Sequence, residues 1–296
     1  MVAVIALAGC GSGSAPGGTG DVRLVASFYP LQWTAERVAG DAVDVVSLTK
    51  PGAEPHDLEL APQDVAALAD ANLVVYLGGF QPAVDDAVEQ EGKDSAFDVT
   101  RAADLDLTYT PIEDGDQKSD EAGATDPHFW LDPLRLAAVA DALAARLSRL
   151  RPQEAPQYEA NAAALRTELE ALDAEFEAGL KDCTNTNLVT SHNSFGYLAR
   201  RYGLTQVGIT GLTPEDEPAP QDLAEVTAFV EANRVATIYY ETLVSPAVAR
   251  TVAAETGART AVLDPVEGLT DESAGSDYLE VMRANLAGIR AGQPCR

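Results

Sequence analysis

The chain has 296 residues and a formal net charge of −27, with 47 acidic side chains against 20 basic ones. A surface this acidic excludes nucleic acid as a partner, because phosphate binding needs basic patches. The charge serves solubility first and weakly favours cations as ligands. The length leaves room for two domains of ordinary size.

The N-terminal residues predict an anchor at a membrane surface. An apolar run too short to span a bilayer ends in residues 7–10 (LAGC), which resemble a bacterial lipobox in which the cysteine is lipidated. The basic residues that usually precede such a run are missing, so a simple apolar start is the alternative. Residues 1–20 are interpreted as a signal remnant followed by a flexible, glycine-rich tether. We expect an extracytoplasmic protein held to the cell membrane by a lipid on Cys10.

Residues 21–151 predict an N-terminal α/β lobe, because short apolar strands alternate with helical patterns. Such alternation is typical of a mainly parallel sheet with flanking helices. Strands are expected at residues 22–27, 43–48, 73–77 and 97–99, and helices at 34–39, 62–69 and 133–150.

Residues 152–182 predict one long linking helix. Apolar side chains recur every three or four residues from Tyr158 to Phe176, and neither glycine nor proline interrupts them. At 1.5 Å per residue this helix would be about 40 Å long, enough to bridge two domains.

Residues 183–296 predict a C-terminal α/β lobe like the first. We therefore expect an α/β fold with two lobes, each a mainly parallel sheet with flanking helices, joined by one long backbone helix. The strands of this lobe are expected at residues 188–190, 205–209, 237–240 and 260–263, and its helices at 195–202, 221–233, 246–256 and 277–290.

The sequence contains only three histidines, His56, His128 and His192, and each lies in a distinctive local motif. Neutral imidazole is the commonest metal ligand, and three imidazoles with a carboxylate suit tetrahedral Zn²⁺. His192 follows a buried apolar strand, and residues at strand ends face crevices in α/β sheets. We interpret the three as one metal site; the alternative is three unrelated histidines in turns or on the surface.

Four segments stand out, at residues 51–57 (PGAEPHD), 126–133 (DPHFWLDP), 191–197 (SHNSFGY) and 262–266 (VLDPV). Together they resemble the ligand loops of the metal-receptor lipoproteins of bacterial ABC importers for zinc and manganese. The resemblance covers nearly the whole mature chain and implies two lobes with the metal between them. It implies an extracytoplasmic, monomeric receptor that passes metal to a membrane permease and is not an enzyme.

The fourth ligand is predicted to be Asp264. It follows an apolar strand, and the proline after it biases it toward an extended backbone. Its charge would offset part of the Zn²⁺ charge, which three imidazoles cannot do. Glu241, also at a strand end, is the rival carboxylate or a group that orients a ligand.

Several neighbours of the histidines have open roles. Asp57 and Asp126 could orient imidazoles or simply cap turns, and Glu54 is an alternative ligand. We expect Trp130 and its neighbour Phe129 to belong to the core.

The metal is predicted to be Zn²⁺, with Mn²⁺ as the alternative. Manganese members of the family usually carry a carboxylate where this chain has His192, and imidazole favours the softer zinc. Zinc members often carry a histidine-rich loop before the second ligand, whereas residues 113–125 here are acidic and contain no histidine.

Two other functions are alternatives to the receptor. A zinc hydrolase would use Glu241 as a general base, but a fourth protein ligand closes the site. The chain also has no His-Glu-x-x-His motif and no nucleophile elbow. Nothing in the sequence supports a surface adhesin.

Beyond Cys10, the chain has two cysteines, Cys183 and Cys295. Because export implies an oxidising compartment, we expect them to form a disulfide; two buried thiols are the alternative.

Overall fold

A computed structural model describes residues 22–111 and 121–295. The lipidation predicted at Cys10 and most of the acidic segment 113–125 lie outside these residues. The described chain forms two α/β lobes with two helices between them, which confirms the fold expected from the sequence. Among the helices described, none has both the length and the apolar composition that crossing a bilayer requires.

The first lobe contains a four-stranded parallel sheet in the order β2-β1-β3-β4. Because every strand is parallel to its neighbours, each crossover passes over a face of the sheet and covers it. Its strands are β1 (Val22–Ala26), β2 (Val43–Ser47), β3 (Leu73–Tyr76) and β4 (Ala96–Asp98). Its helices are α1 (Tyr29–Ala39), α2 (Pro62–Ala69), α3 (Pro82–Ala87) and α4 (Thr100–Ala103).

The second lobe repeats this topology, with a parallel sheet in the order β6-β5-β7-β8. Its strands are β5 (Asn187–Thr190), β6 (Thr205–Gly208), β7 (Thr237–Tyr240) and β8 (Arg259–Val262). Its helices are α7 (Gly196–Tyr202), α8 (Pro220–Ala232), α9 (Ala247–Thr256) and α10 (Tyr278–Gly292).

Two helices connect the lobes, α5 (Pro133–Leu150) and α6 (Ala155–Leu180). Helix α5 begins where the Asp132 side chain accepts a hydrogen bond from the backbone amide of Leu134, which satisfies a free donor of the first turn. The 26 residues of α6 confirm the long helix predicted from the apolar spacing. Helix α6 contacts α5, α1 of the first lobe and α10 of the second.

The two lobes share one continuous hydrophobic core. A single buried cluster includes Leu24 of β1, Leu169 of α6 and Leu188 of β5. Two smaller clusters lie apart, one in each lobe. Burial of apolar area across all three parts opposes separation of the lobes, because parting them would expose that area to water.

Cys183 and Cys295 form a disulfide across 112 residues of sequence. Cys183 lies just after α6, and Cys295 lies just after α10. The bond therefore ties the end of the described chain to the start of the second lobe, as expected from the sequence.

Candidate metal centre

The three histidines meet in one buried cluster, although His56 and His192 lie 136 residues apart in sequence. The Nε2 atom of His128 lies 3.4 Å from Nε2 of His56 and 3.3 Å from Nε2 of His192. His128 and His192 are fully buried, and His56 is 9% exposed. Three ring nitrogens are thus directed at one point rather than spread over separate turns.

A carboxylate completes the cluster, and it belongs to Glu267. Its Oε1 atom lies 3.5 Å from His56 Nε2, 3.2 Å from His128 Nε2 and 3.7 Å from His192 Nε2. Among the residues that the structure describes, these four form the group whose possible ligand atoms all lie within 4.8 Å of one another. The Glu267 side chain is completely buried.

The spacing of these atoms matches a tetrahedral zinc site. Ligands at about 2.0–2.2 Å from Zn²⁺ form a tetrahedron with edges of about 3.3–3.6 Å. The five measured separations lie between 3.2 and 3.7 Å. The donor atoms are therefore already placed close to the corners that Zn²⁺ requires.

Asp264 is not part of this cluster, although the sequence analysis predicts it as the fourth ligand. Its carboxylate accepts hydrogen bonds from the backbone amide of Val266 at 2.8 Å and from the hydroxyls of Ser273 and Thr242 at 3.1 and 3.3 Å. The strand-end argument selected the first acid after β8, but the loop turns and presents the second acid instead. The only sequence signal for Glu267 was its place three residues further along the same loop.

His128 is held by Asp126, as one of the sequence alternatives proposed. Oδ1 of Asp126 accepts from the backbone amide of His128 at 2.9 Å and contacts its Nδ1 at 2.7 Å. Because an ionised carboxylate only accepts, the Nδ1 atom must carry the proton, which leaves the Nε2 lone pair facing the cluster. Gly196 permits this arrangement, since a Cβ there would lie 2.5 Å from Oδ2 of Asp126.

His192 is held in the same way by Glu241. The distance from His192 Nδ1 to Glu241 Oε1 is 2.7 Å, and the Ser191 hydroxyl donates to the same oxygen. His192 follows β5 and Glu241 follows β7, and these strands are paired in the sheet. The carboxyl ends of adjacent parallel strands thus bring the imidazole and its partner together.

His56 lies on the loop between β2 and α2. Glu54 fixes this loop, because its Oε2 accepts from the backbone amides of His56 and Asp57 at 2.8 and 3.3 Å. The other carboxylate oxygen of Glu54 is 4.0 Å from His56 Nε2, outside hydrogen-bond distance. Asp57 is exposed, and among the described residues no hydrogen bond or ion pair joins its carboxylate to an imidazole; its backbone amide donates to Glu54.

Aromatic side chains form the apolar wall behind the site. Trp130 and Phe129 are fully buried in the shared core, as expected. The Phe80 ring lies 4.7 Å from the ring of His56, and Trp130 lies 5.3 Å from that of His128, measured between centroids. Such surroundings lower the local dielectric and strengthen the attraction between a cation and the cluster.

The surroundings shift the pKa values of the cluster in opposite directions. Burial lowers the pKa of His56, which favours the neutral form that binds metals. Burial also acts to lower the pKa of His128, but hydrogen bonds to Asp126 and Glu267 outweigh it and raise that pKa to about 9. For Glu267, burial acts to raise the pKa, and the contacts with His128 and His56 reverse this and hold it well below its usual range.

When both imidazoles are neutral, in the tautomers imposed by Asp126 and Glu241, neither His128 nor His192 has an Nε2 proton to donate to Glu267. Both carboxylate oxygens of Glu267 are then buried without a hydrogen bond. A buried, unpaired carboxylate is costly unless a proton or a cation compensates it. The cluster can therefore hold either a proton on His128 or a divalent cation among the four side chains.

Two parallel-sheet lobes around a long helix, with three imidazoles and a carboxylate between them, are the features of the solute-binding class of metal receptors. The chain belongs to the family described as zinc-uptake complex component A, periplasmic, whose model matches residues 24–292.

Relatives and solved structures agree with this family. The chain is 37% identical over 278 residues to a zinc-binding lipoprotein, AdcA, of Streptococcus pneumoniae, covering 92% of this chain and 56% of that protein. It is 32% identical over 295 residues to the high-affinity zinc uptake system protein ZnuA of Bacillus subtilis, covering 96% and 92%. The structure of the Zn(II)-bound ZnuA-like domain of S. pneumoniae AdcA superimposes with a TM-score of 0.75 at 35% identity, covering 92% and 99%. The chain thus spans just over half the length of the AdcA proteins and nearly the whole of ZnuA.

Proposed function

We propose that this protein is an extracytoplasmic receptor that captures Zn²⁺ and delivers it to the permease of an ABC importer. The observation that carries the proposal is the group of three Nε2 atoms and one carboxylate oxygen within 4.8 Å of one another, with five separations of 3.2–3.7 Å that match the edges of a tetrahedral zinc site. The names of the related proteins, which describe zinc binding and zinc uptake, support the same function.

The proposed ligands are His56, His128, His192 and Glu267, with Glu267 in the place first assigned to Asp264. Asp126 and Glu241 are proposed to hold the imidazoles of His128 and His192 with Nε2 directed at the metal. Such hydrogen bonds fix the tautomer and raise the basicity of the ligand.

Zinc is favoured over manganese by the chemistry of the donors. Three imidazoles and one carboxylate suit a four-coordinate Zn²⁺, whereas Mn²⁺ prefers oxygen ligands and a higher coordination number. Manganese is the second candidate, because the family resemblance seen in the sequence extends to manganese receptors.

A receptor fits the site better than a hydrolase does. A catalytic zinc keeps one coordination position open for water, whereas four protein ligands fill a tetrahedral site. Glu241, the base that a hydrolase would need, already binds Ser191 and His192.

The surroundings of the receptor complete the proposal. A lipid on Cys10 and a tether over residues 1–20 would hold the protein at the membrane beside its permease. The protein would act as a monomer, with lobes at 21–151 and 183–296 and the linking helix at 152–182. A helix that contacts both lobes supports this division.

Metal content and competition test the proposal. The purified protein should contain one zinc per chain by mass spectrometry, and Zn²⁺ should displace Mn²⁺ when both compete at equal concentration. The matched control is Glu255→Gln, which removes an exposed acid on α9 and should leave the zinc content unchanged. Equal retention of Mn²⁺ would overturn the assignment to zinc, and full zinc binding by His128→Ala would overturn the site.

A further inference from the structure

Asp264 is buried beside the metal cluster and yet contributes no atom to it. It is 2% exposed, and its carboxylate accepts from the Val266 amide and from the Ser273 and Thr242 hydroxyls. Val266 and Ser273 belong to the loop between β8 and α10, which also carries Glu267, and Thr242 ties that loop to the segment after β7. The contacts of Asp264 therefore concern the shape of that loop.

The loop contains a strained residue directly before Glu267. Val266 has a φ of +59°, in the left-handed region that β-branched residues rarely adopt. Among the described residues, two other non-glycine residues have a φ in this region, Asp104 and Arg234, and both are exposed. Val266 is instead fully buried in the shared core, so its isopropyl group anchors the turn while its backbone is strained.

Strain of this kind persists only where the surroundings fix the backbone from several sides, and it is concentrated at functional sites. Here Asp264 Oδ1 holds the amide of Val266. The Asn285 side chain binds both the amide and the carbonyl of Asp264, at 2.9 and 2.6 Å. The Trp130 indole donates to the carbonyl of Pro265 at 2.7 Å. Each residue from 264 to 266 is thus tied down.

We propose that Asp264 is a positioning residue, whose carboxylate holds Val266 in the left-handed conformation and so directs the Glu267 carboxylate at the three histidines. This inference rests on the proposed function for the role of Glu267 as a zinc ligand. It assigns Asp264 an indirect effect on zinc affinity, through the direction of a neighbouring side chain.

Substitution of Asp264 by alanine and by asparagine distinguishes a positioning role from a contribution to stability alone. Asparagine keeps an oxygen that can accept from the Val266 amide, and the Ser273 and Thr242 hydroxyls can rotate to accept from its NH₂ group. We expect Asp264→Asn to retain wild-type zinc affinity and Asp264→Ala to bind zinc about 10–100-fold more weakly, as for other residues that orient metal ligands.

The visible spectrum of Co²⁺ bound in place of zinc provides a readout that a merely structural role would not change. It reports the number and type of the ligands. The spectrum of Asp264→Ala should resemble that of Glu267→Gln, and the spectrum of Asp264→Asn should resemble the wild type. The matched control is Asp173→Ala. Asp173, on α6, is also a buried acid, but it binds Arg201 and Tyr202 of α7.

A milder variant, Ser273→Ala, tests the same role even if Asp264→Ala does not fold. Ser273→Ala removes one donor to Asp264 and touches no ligand, so it should weaken zinc binding in the same direction but by less. If Asp264→Ala and Ser273→Ala lose thermal stability as Asp173→Ala does, yet keep the wild-type zinc affinity and cobalt spectrum, the positioning role is wrong. If Glu267→Gln itself keeps both, the ligand set of the proposed function is wrong, and the positioning role falls with it.

Discussion

The indole of Trp130 donates a 2.7 Å hydrogen bond to the carbonyl of Pro265, 135 residues further along the chain. The hydroxyl of Tyr278 donates to the carbonyl of Trp130 at 2.5 Å. The first bond joins the segment that carries His128 to the loop that carries Glu267, and the second joins the same segment to the start of α10. The proposed ligands from the two halves of the chain are therefore held together by the protein itself.

We predict little movement of the lobes when zinc binds. The lobes share a core, α6 contacts both, and the bonds of Trp130 link the ligand loops. Small-angle scattering profiles of the metal-free and zinc-bound protein should nearly superimpose. A marked compaction on adding zinc would show that the lobes close like a hinge.

Trp130→Phe should remove the hydrogen bond to the Pro265 carbonyl while keeping most of the aromatic packing in the core. The variant keeps an aromatic ring but leaves the Pro265 carbonyl without its donor. Loss of a partner for a buried polar group costs about 1–3 kcal/mol of stability. Chemical denaturation should show this loss, and Trp33→Phe, at a buried aromatic position on α1, is the matched control. An unchanged free energy of unfolding would mean that the bond is unimportant.

Glu267 and Glu241, which both contact imidazoles, should differ in their effect on zinc. Glu267→Gln removes the only charge among the proposed ligands and should weaken binding most. Glu241→Gln alters a partner of His192 and should cost about 10–100-fold, as typical for groups that orient ligands. Titration against a competing chelator measures both constants. A larger loss in Glu241→Gln than in Glu267→Gln would reverse the assignment.

The alternation of strands and helices and the motifs around the three histidines were enough to predict the fold and to bring His56, His128 and His192 to one place. The fourth residue of the cluster, Glu267, was missed for a physical reason. A strand end predicts where the chain leaves the sheet, and this favoured Asp264. The direction of Glu267 depends on the left-handed Val266 and on bonds from Trp130 and Asn285, which are distant in sequence. Residue types at one position do not reveal contacts of this kind.

Zinc should raise the thermal stability of the protein, because a ligand that binds only the native state stabilises it by mass action. At a free zinc concentration of 100 times Kd the gain is about 2.7 kcal/mol. For a chain of this size that corresponds to a rise in Tm of roughly 5–10 °C. Scanning calorimetry with zinc, with manganese and with a chelator measures the difference. An equal rise with manganese at the same concentration would contradict the selectivity for zinc.

Zinc affinity should increase with pH up to about pH 9. Burial acts to lower the pKa of His128, but Asp126 and Glu267 together raise it to about 9. At pH 7 the metal-free site then holds a proton on His128, which zinc must displace, so removing protons from solution favours binding. Asp126→Asn removes one partner that raises this pKa and should move the pH dependence to lower pH. Chelator competition from pH 6 to 9.5 measures it, and a constant Kd between pH 7 and 9 would exclude this proton.

Breaking the disulfide should destabilise the fold and leave the metal site intact. Cys183 precedes the amino end of β5, whereas His192 follows its carboxyl end, so the bond and the cluster lie at opposite ends of that strand. Cross-linking residues 112 apart restricts the unfolded chain and stabilises the native state by about 2–4 kcal/mol. We expect the Cys183→Ser, Cys295→Ser double variant to lose about this much free energy of unfolding in denaturant and to keep its zinc Kd.

The same loss should follow when the disulfide of the wild type is reduced, whereas reduction should not affect the double variant. Two free thiols at these positions in the denatured, exported wild type would contradict the bond, and a weaker zinc Kd in the double variant would show that strand β5 transmits its constraint to His192.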